Sequence, residues 1–180
     1  MDIRILKDCH LFDRNGFIEM KEMGEQTMDN IRSISKMLEE GQTLSFELFP
    51  PKSRDDLPAF FEVVSGLMKM KPDFISVTYG AGGGSRDKTM DLTMSIQDWF
   101  NVPTLHHLTC VGTDRPFVKK TLTRMKMNGV INVLALRGDK PENEPEWEPQ
   151  KNGFLHAYEL CNYIKKEEPD FTCLLYTSDA

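Results

Sequence analysis

From Thr43 to Thr172 short apolar runs alternate with amphipathic stretches. Leu44 to Phe49 is a largely apolar run closed by Pro50-Pro51, which predicts a strand that stops there. Leu57, Phe60, Phe61, Val64, Leu67 and Met68 then recur at spacings of three and four, the stripe of an amphipathic helix. Phe74 to Tyr79 predicts a second strand, followed by the glycine-rich Gly80–Gly84 and a helix marked by Leu92, Ile96 and Trp99. Leu105 to Val111 predicts a third strand. Asp114 is placed as an N-cap, with Pro116 opening a helix that bears Val118, Leu122 and Met125 and ends at Gly129. Val130 to Leu136 predicts a fourth strand, and Phe154, Ala157, Tyr158, Cys161 and Ile164 a fourth helix after a polar loop. Phe171 begins a fifth strand. Ahead of all this, Ile31, Ile34 and Leu38 predict a short helix ending near Gly41, while residues 1–26 show no sustained period.

Strands alternating with helices imply parallel pairing with helices covering the sheet. The strand starts fall near 44, 74, 105 and 130. Units of this size build either a doubly wound sheet or an eight-fold barrel. The 180 residues could hold the first whole, but only half of the second, which typically needs ~250 residues.

Composition narrows the classes. A chain 39% hydrophobic and 28% charged is globular, not disordered or collagenous. Its formal charge of −6 disfavours a dedicated nucleic-acid binder. No run approaches the length of a membrane span, and the first 20 residues lack the apolar core of a secretory signal. Cys9, Cys110, Cys161 and Cys173 form no C-x-x-C pair and match no zinc spacing, so free thiols in a reducing cytoplasm are expected. No metal is expected either, because no histidine–carboxylate motif is present.

In both architectures the site lies at the carboxyl ends of the strands. Those ends carry Glu47, Thr78-Tyr79-Gly80-Ala81, His106-His107 and Arg137-Gly138-Asp139. Glu47 stands in an apolar strand, where burial of a carboxylate costs several kcal/mol unless it is paired or protonated. A carboxyl taken out of water holds its proton to higher pH and suits general-acid work; a structural ion pair is the alternative. Gly80–Gly84 fits neither a Walker A loop nor the dinucleotide fingerprint, and a flexible turn explains it as well as an anion cradle does. Asp87 is expected to cap the next helix. His106 and His107 point to opposite faces, so at most one lines the site. Arg137 suits a ligand phosphate and Asp139 a ligand ring, with a local ion pair as the alternative.

Taken together, Ser45-Phe46-Glu47-Leu48-Phe49-Pro50-Pro51-Lys52, Phe74-Ile75-Ser76-Val77-Thr78-Tyr79-Gly80-Ala81, His107-Leu108-Thr109-Cys110 and Leu134-Ala135-Leu136-Arg137-Gly138-Asp139 resemble the methylenetetrahydrofolate reductases. The resemblance covers about residues 27–172. It implies an α/β fold, a parallel (β/α)8 TIM barrel of which about the first four βα units are present, with FAD at the strand ends. It implies reduction of 5,10-methylenetetrahydrofolate to 5-methyltetrahydrofolate. NAD(P)H or a redox protein would be the electron donor, and the full-length parent a cytoplasmic homo-oligomer. By the same resemblance Glu47 is the catalytic acid that protonates the leaving ring nitrogen, and the resulting iminium accepts hydride from reduced flavin. Asp139 joins it in catalysis by facing the folate and tuning the flavin. Thr78, Tyr79, Ala81, His107, Arg137, Gly138, Asp139 and Ala157 match flavin-binding positions.

Two segments depart from the family. Residues 1–26 have no clear counterpart, and Cys173–Ala180 reads as a non-family tail, similar to translated adapter sequence. The resemblance therefore leaves a second expectation for this polypeptide, a non-catalytic half-barrel or interaction fragment. A third, an unrelated barrel hydrolase, would use Glu47 and Asp139 as paired carboxylates.

Overall fold

The computed structural model describes residues 32–79, 86–139 and 146–175. All belong to the second of two units of the chain, Ile31–Ala180. The order is α1 (Ile34–Glu40), β1 (Ser45–Leu48), α2 (Leu57–Met68), β2 (Phe74–Val77), α3 (Arg86–Phe100), β3 (Thr104–Thr109), α4 (Arg115–Met127), β4 (Asn132–Leu136), α5 (Ala157–Glu167) and β5 (Thr172–Leu175), with a 3-10 turn at Arg54–Asp56 before α2. The predicted elements are present with slightly shorter bounds. The N-cap of α4 forms as expected: the Asp114 carboxylate accepts the Phe117 N–H at 2.9 Å. Asp87 departs from expectation, because α3 already begins at Arg86 and leaves Asp87 inside the first turn.

All four strand pairs are parallel and the sheet runs β1-β2-β3-β4-β5. That order decides between the two architectures the sequence left open. A doubly wound sheet reverses direction at a switch point, whereas here each strand is laid beside its predecessor in the same sense, the winding of a barrel wall.

Alternation gives the sheet two unlike faces. One face sends Ile75, Val77, Leu108, Val133 and Ala135 into the helical layer. There they meet Val64 and Ile96 on one side and Val118, Leu122, Phe154, Leu160 and Ile164 on the other. Phe61 of α2 packs on Trp99 of α3 with ring centroids 4.6 Å apart. Fully burying a side chain of this size contributes about 1.5–3 kcal/mol. This layer therefore holds the sheet in place.

The other face presents Phe74, Leu105, Leu134 and Leu174 near the strand starts, and α1 covers them with Ile34 and Met37. Asn132, at the start of β4, fixes α1 there. Its Oδ1 accepts the Ile34 N–H at 2.9 Å and its Nδ2 donates to the Arg32 carbonyl at 3.2 Å. Farther along this inner face come polar side chains instead: Glu47, Ser76, Thr78, His107 and Thr109. The carboxyl halves of β1, β2 and β3 thus carry the polar side chains of the inner face, while β4 stays apolar there with Leu134 and Leu136.

Candidate functional site

β1, β2 and β3 bring three side chains together on the inner face. Ser76 Oγ lies 2.7 Å from His107 Nε2, a hydrogen bond. Glu47 Oε2 lies 3.8 Å from the same nitrogen, a contact beyond hydrogen-bond length. The register explains the meeting, since Glu47 pairs across to Ser76 and β3 is the next strand. Burial lowers the His107 pKa to about 4, so the ring is neutral at pH 7. With a neutral imidazole the Glu47 contact is not an ion pair.

Glu47 corrects one expectation. Its side chain is 53% exposed, not desolvated. Among the described residues β1 has β2 as its one neighbour, which leaves the Glu47 flank of the sheet uncovered. A carboxylate that keeps half its surface in water avoids the cost expected for a buried one. Any burial it needs for acid work must come from groups outside the described residues.

The two adjacent histidines do face opposite ways. His106 points into the helical layer, with Nδ1 at 3.1 Å from Thr93 Oγ1. Thr93 gives its own hydroxyl proton to the Thr89 carbonyl at 2.8 Å, so His106 must donate from Nδ1. Burial, and then the neighbouring His107, lower its pKa to about 3. His106 thus serves packing, and His107 is the one that lines the inner face.

At the end of β4, Gly138 adopts φ +82°, and a Cβ there would lie 3.1 Å from Thr109 Cβ. The conformation favours glycine, and a side chain there would have to push Thr109 aside by a few tenths of an ångström. The tight approach holds Arg137 and Asp139 beside the end of β3, where the Val111 N–H donates to the Arg137 carbonyl at 3.0 Å. The half-buried Arg137 lies close enough to Cys110 to oppose its shift. Burial chiefly, with Glu159 adding, still pushes that thiol up to about 12, which makes it inert as a nucleophile. Asp139 is exposed and Tyr79 half-buried.

Two buried polar atoms at these strand ends have no hydrogen-bond partner among the described residues, Thr78 Oγ1 and Arg137 Nε. Buried polar groups are nearly always paired, so each marks a place where a ligand atom can complete the bonding. Ala157 opens α5, whose first turn is held by Glu159: its Oε2 accepts the Leu155 and His156 N–H groups at 2.7 and 3.1 Å. Ala81 lies outside the described residues. Ser76 had no assigned role in the sequence; its signal was a serine at the inner-face position between Phe74 and Thr78.

One cavity, of about 670 Å³, lies away from this site. It lies at the opposite end, between α1 and β5, lined by Arg32, Lys36, Glu40 and Asp170 among others. Among the described residues no cluster of three or more His, Cys, Asp or Glu could hold a metal ion, and no helix is long and apolar enough to cross a membrane.

Comparison with known proteins agrees with the strand-end signatures. The family model described as "Methylenetetrahydrofolate reductase" matches residues 31–176. "Methylenetetrahydrofolate reductase (NADH) 1" of Arabidopsis thaliana is 36% identical over 147 residues, 81% of this chain and 24% of that protein. "5,10-Methylenetetrahydrofolate reductase" of Buchnera aphidicola is 32% identical over 147 residues, 82% of this chain and 48% of that protein. This chain thus spans about a quarter of the plant relative and about half of the bacterial one. Among solved structures, the 4-hydroxy-tetrahydrodipicolinate synthase of Methylacidiphilum fumariolicum SolV superposes with a TM-score of 0.53. It is 13% identical and covers 76% of this chain and 44% of its own, a likeness of fold alone. With a matched span that takes in all five strands and every strand-end motif, the chain belongs to the methylenetetrahydrofolate reductase family.

Proposed function

We propose that the protein carrying this sequence reduces 5,10-methylenetetrahydrofolate to 5-methyltetrahydrofolate with FAD, in a barrel whose wall continues past β5 to eight strands. The observation that carries the reading is the convergence of Glu47, Ser76 and His107 on the inner face at the carboxyl half of the sheet. A folate and a flavin would meet there. The unpartnered Thr78 Oγ1 and Arg137 Nε are the test of fit for FAD, and both offer hydrogen bonds that the described residues leave unused. In this reading Thr78, Tyr79, Ala81, His107, Arg137, Gly138, Asp139 and Ala157 hold the cofactor. When bound, FAD supplies the hydride.

The chain's own groups do the rest. Glu47 delivers a proton to the folate nitrogen that leaves the methylene bridge, from a side chain that the described residues leave half-exposed. Neutral His107 offers hydrogen bonding without adding charge beside the acid. The Arg137 guanidinium suits an anionic or carbonyl part of the cofactor. Asp139, on the chain fixed by Gly138, is exposed at the same strand end and is assigned to the flavin's surroundings. A nicotinamide is the donor class we favour, NADH being the one that the plant relative's name carries.

The test is anaerobic. The full-length protein should bind FAD, be reduced by NADH or NADPH, and be reoxidised by 5,10-methylenetetrahydrofolate. Reduced enzyme that methylenetetrahydrofolate fails to reoxidise would refute the reading. For the 180-residue chain by itself a second reading is favoured by its two sheet edges, β1 and β5, which have no further strand among the described residues. It would then be a non-catalytic half-barrel, and stoichiometric FAD binding by the monomeric chain would contradict that.

A further inference from the structure

We propose that Ser76 is a positioning residue, whose hydroxyl donates to His107 Nε2 and so fixes the ring with its proton on Nδ1, keeping Nε2 off the proton of Glu47. The proposal rests on the reading of Glu47 as the acid.

Ser76 is buried, at 7% exposure, and among the described residues its hydroxyl has one partner, His107 Nε2 at 2.7 Å. A serine hydroxyl carries one proton. If Nε2 carried a hydrogen and donated it to Ser76, the serine proton would be buried with no acceptor among those residues. That arrangement costs about 1–3 kcal/mol. If Ser76 donates instead, its proton and the Nε2 lone pair are both satisfied. The single proton of the neutral ring then sits on Nδ1.

The neighbours do not disturb this choice. From β1 the group facing the ring is Glu47, 3.8 Å from Nε2. From β4 the inner-face residues are Leu134 and Leu136, which are apolar, and Leu134 stands opposite His107 in register. Ile34 and Met37 of α1 pack near Leu134 on the same face. The other titratable neighbour is His106, which is itself neutral and bonded to Thr93 on the far face. Glu47 and Ser76 are thus the two groups that compete for Nε2, and Ser76 holds it. Without the serine, Nε2 is free to accept from a protonated Glu47, drawing the proton away from the substrate.

The tautomer can be read without turnover, by long-range 1H–15N correlation on the imidazoles of the 15N-labelled chain at pH 7. The expected result is His107 protonated on Nδ1 in the wild type. In Ser76→Ala its tautomer ratio should reverse or become mixed, and Ser76→Thr should restore it. His106 must keep its Nδ1–H signal throughout, which shows that the variants remain folded. A wild-type ring protonated on Nε2, or a Ser76→Ala ring unchanged from wild type, overturns the proposal. Glu47→Gln gives an independent arm if the alanine variant does not fold: Nδ1–H should persist, and a switch to Nε2–H overturns the proposal. In the full-length protein Ser76→Ala should slow flavin reoxidation by the folate roughly tenfold, part of the ~10²–10⁴-fold that a positioned acid supplies. Flavin reduction by the nicotinamide should fall less than reoxidation does, and threonine should rescue the loss. Expected tautomers in a protein with no folate turnover would refute the enzymatic reading while leaving the hold of Ser76 on the ring intact.

Discussion

Lowering the pH from 7 to 5 should weaken the fold by about 4 kcal/mol through two histidines. In the native state burial holds His106 at about 3 and His107 at about 4, against an ordinary 6.5. Both folded values lie below the unfolded one, so between pH 6.5 and 4 the unfolded chain binds more protons. Stability is therefore fully present above about 6.5 and is lost as the pH falls toward the folded values. Each pH unit inside that window is worth about 1.4 kcal/mol per histidine. At pH 5 each ring has lost about 2 kcal/mol, a large share of the ~5–15 kcal/mol that stabilises an ordinary domain. Asp98, whose carboxyl partial burial holds above its ordinary value, works in the opposite sense at the acid end. The assay is urea unfolding followed by far-ultraviolet circular dichroism at pH 7 and pH 5. With a denaturant slope of ~1–3 kcal/mol per molar, the midpoint should fall by roughly 2 M. His106→Gln and His107→Gln should each remove about half of the pH dependence, whatever they do to absolute stability. Equal stability at pH 7 and pH 5, or undiminished pH dependence in both variants, would refute the reasoning.

Gly138→Ala forces a side chain into a left-handed conformation with its Cβ 3.1 Å from Thr109. It should cost about 1–3 kcal/mol in urea unfolding and, in the full-length protein, weaken FAD retention by moving Arg137 and Asp139. Asn132→Leu removes the acceptor of the Ile34 N–H and should loosen α1 at a cost of about 1–3 kcal/mol. Amide exchange is the check: Ile34 should lose protection before the β3 and β4 amides do, and unchanged protection would contradict the docking role.

How much of this was readable in advance depends on the range of each interaction. The α4 cap at Asp114 and the apolar stripe of α2 are set by residues three and four apart, and both formed where the sequence put them. The opposite facing of His106 and His107 follows from strand alternation alone. Strand order does not, since alternating β and α serve both architectures, and it is the observed pairing that gives β1 through β5 in succession. Glu47 was misjudged for a related reason. An apolar strand sequence shows what flanks a residue along the chain, but not what lies beside the strand, and among the described residues β1 has β2 alone as its neighbour. Ser76 went unassigned because its partner is 31 residues away. The docking of α1 by Asn132 spans 98 residues and carries no local signal. Gly138 was legible as part of a motif, and the structure supplies the reason, a close approach to Thr109.

The central claim is that this inner face carries the acid of a folate reduction, and the two half-reactions of the Glu47→Gln variant test it most directly. In anaerobic rapid mixing of the full-length protein, reduction of the flavin by the nicotinamide should proceed at nearly the wild-type rate. Reoxidation of the reduced flavin by 5,10-methylenetetrahydrofolate should fall by about 10²–10⁴-fold, the contribution of a positioned general acid. Reoxidation at the wild-type rate, or an equal loss in both half-reactions, would contradict the account.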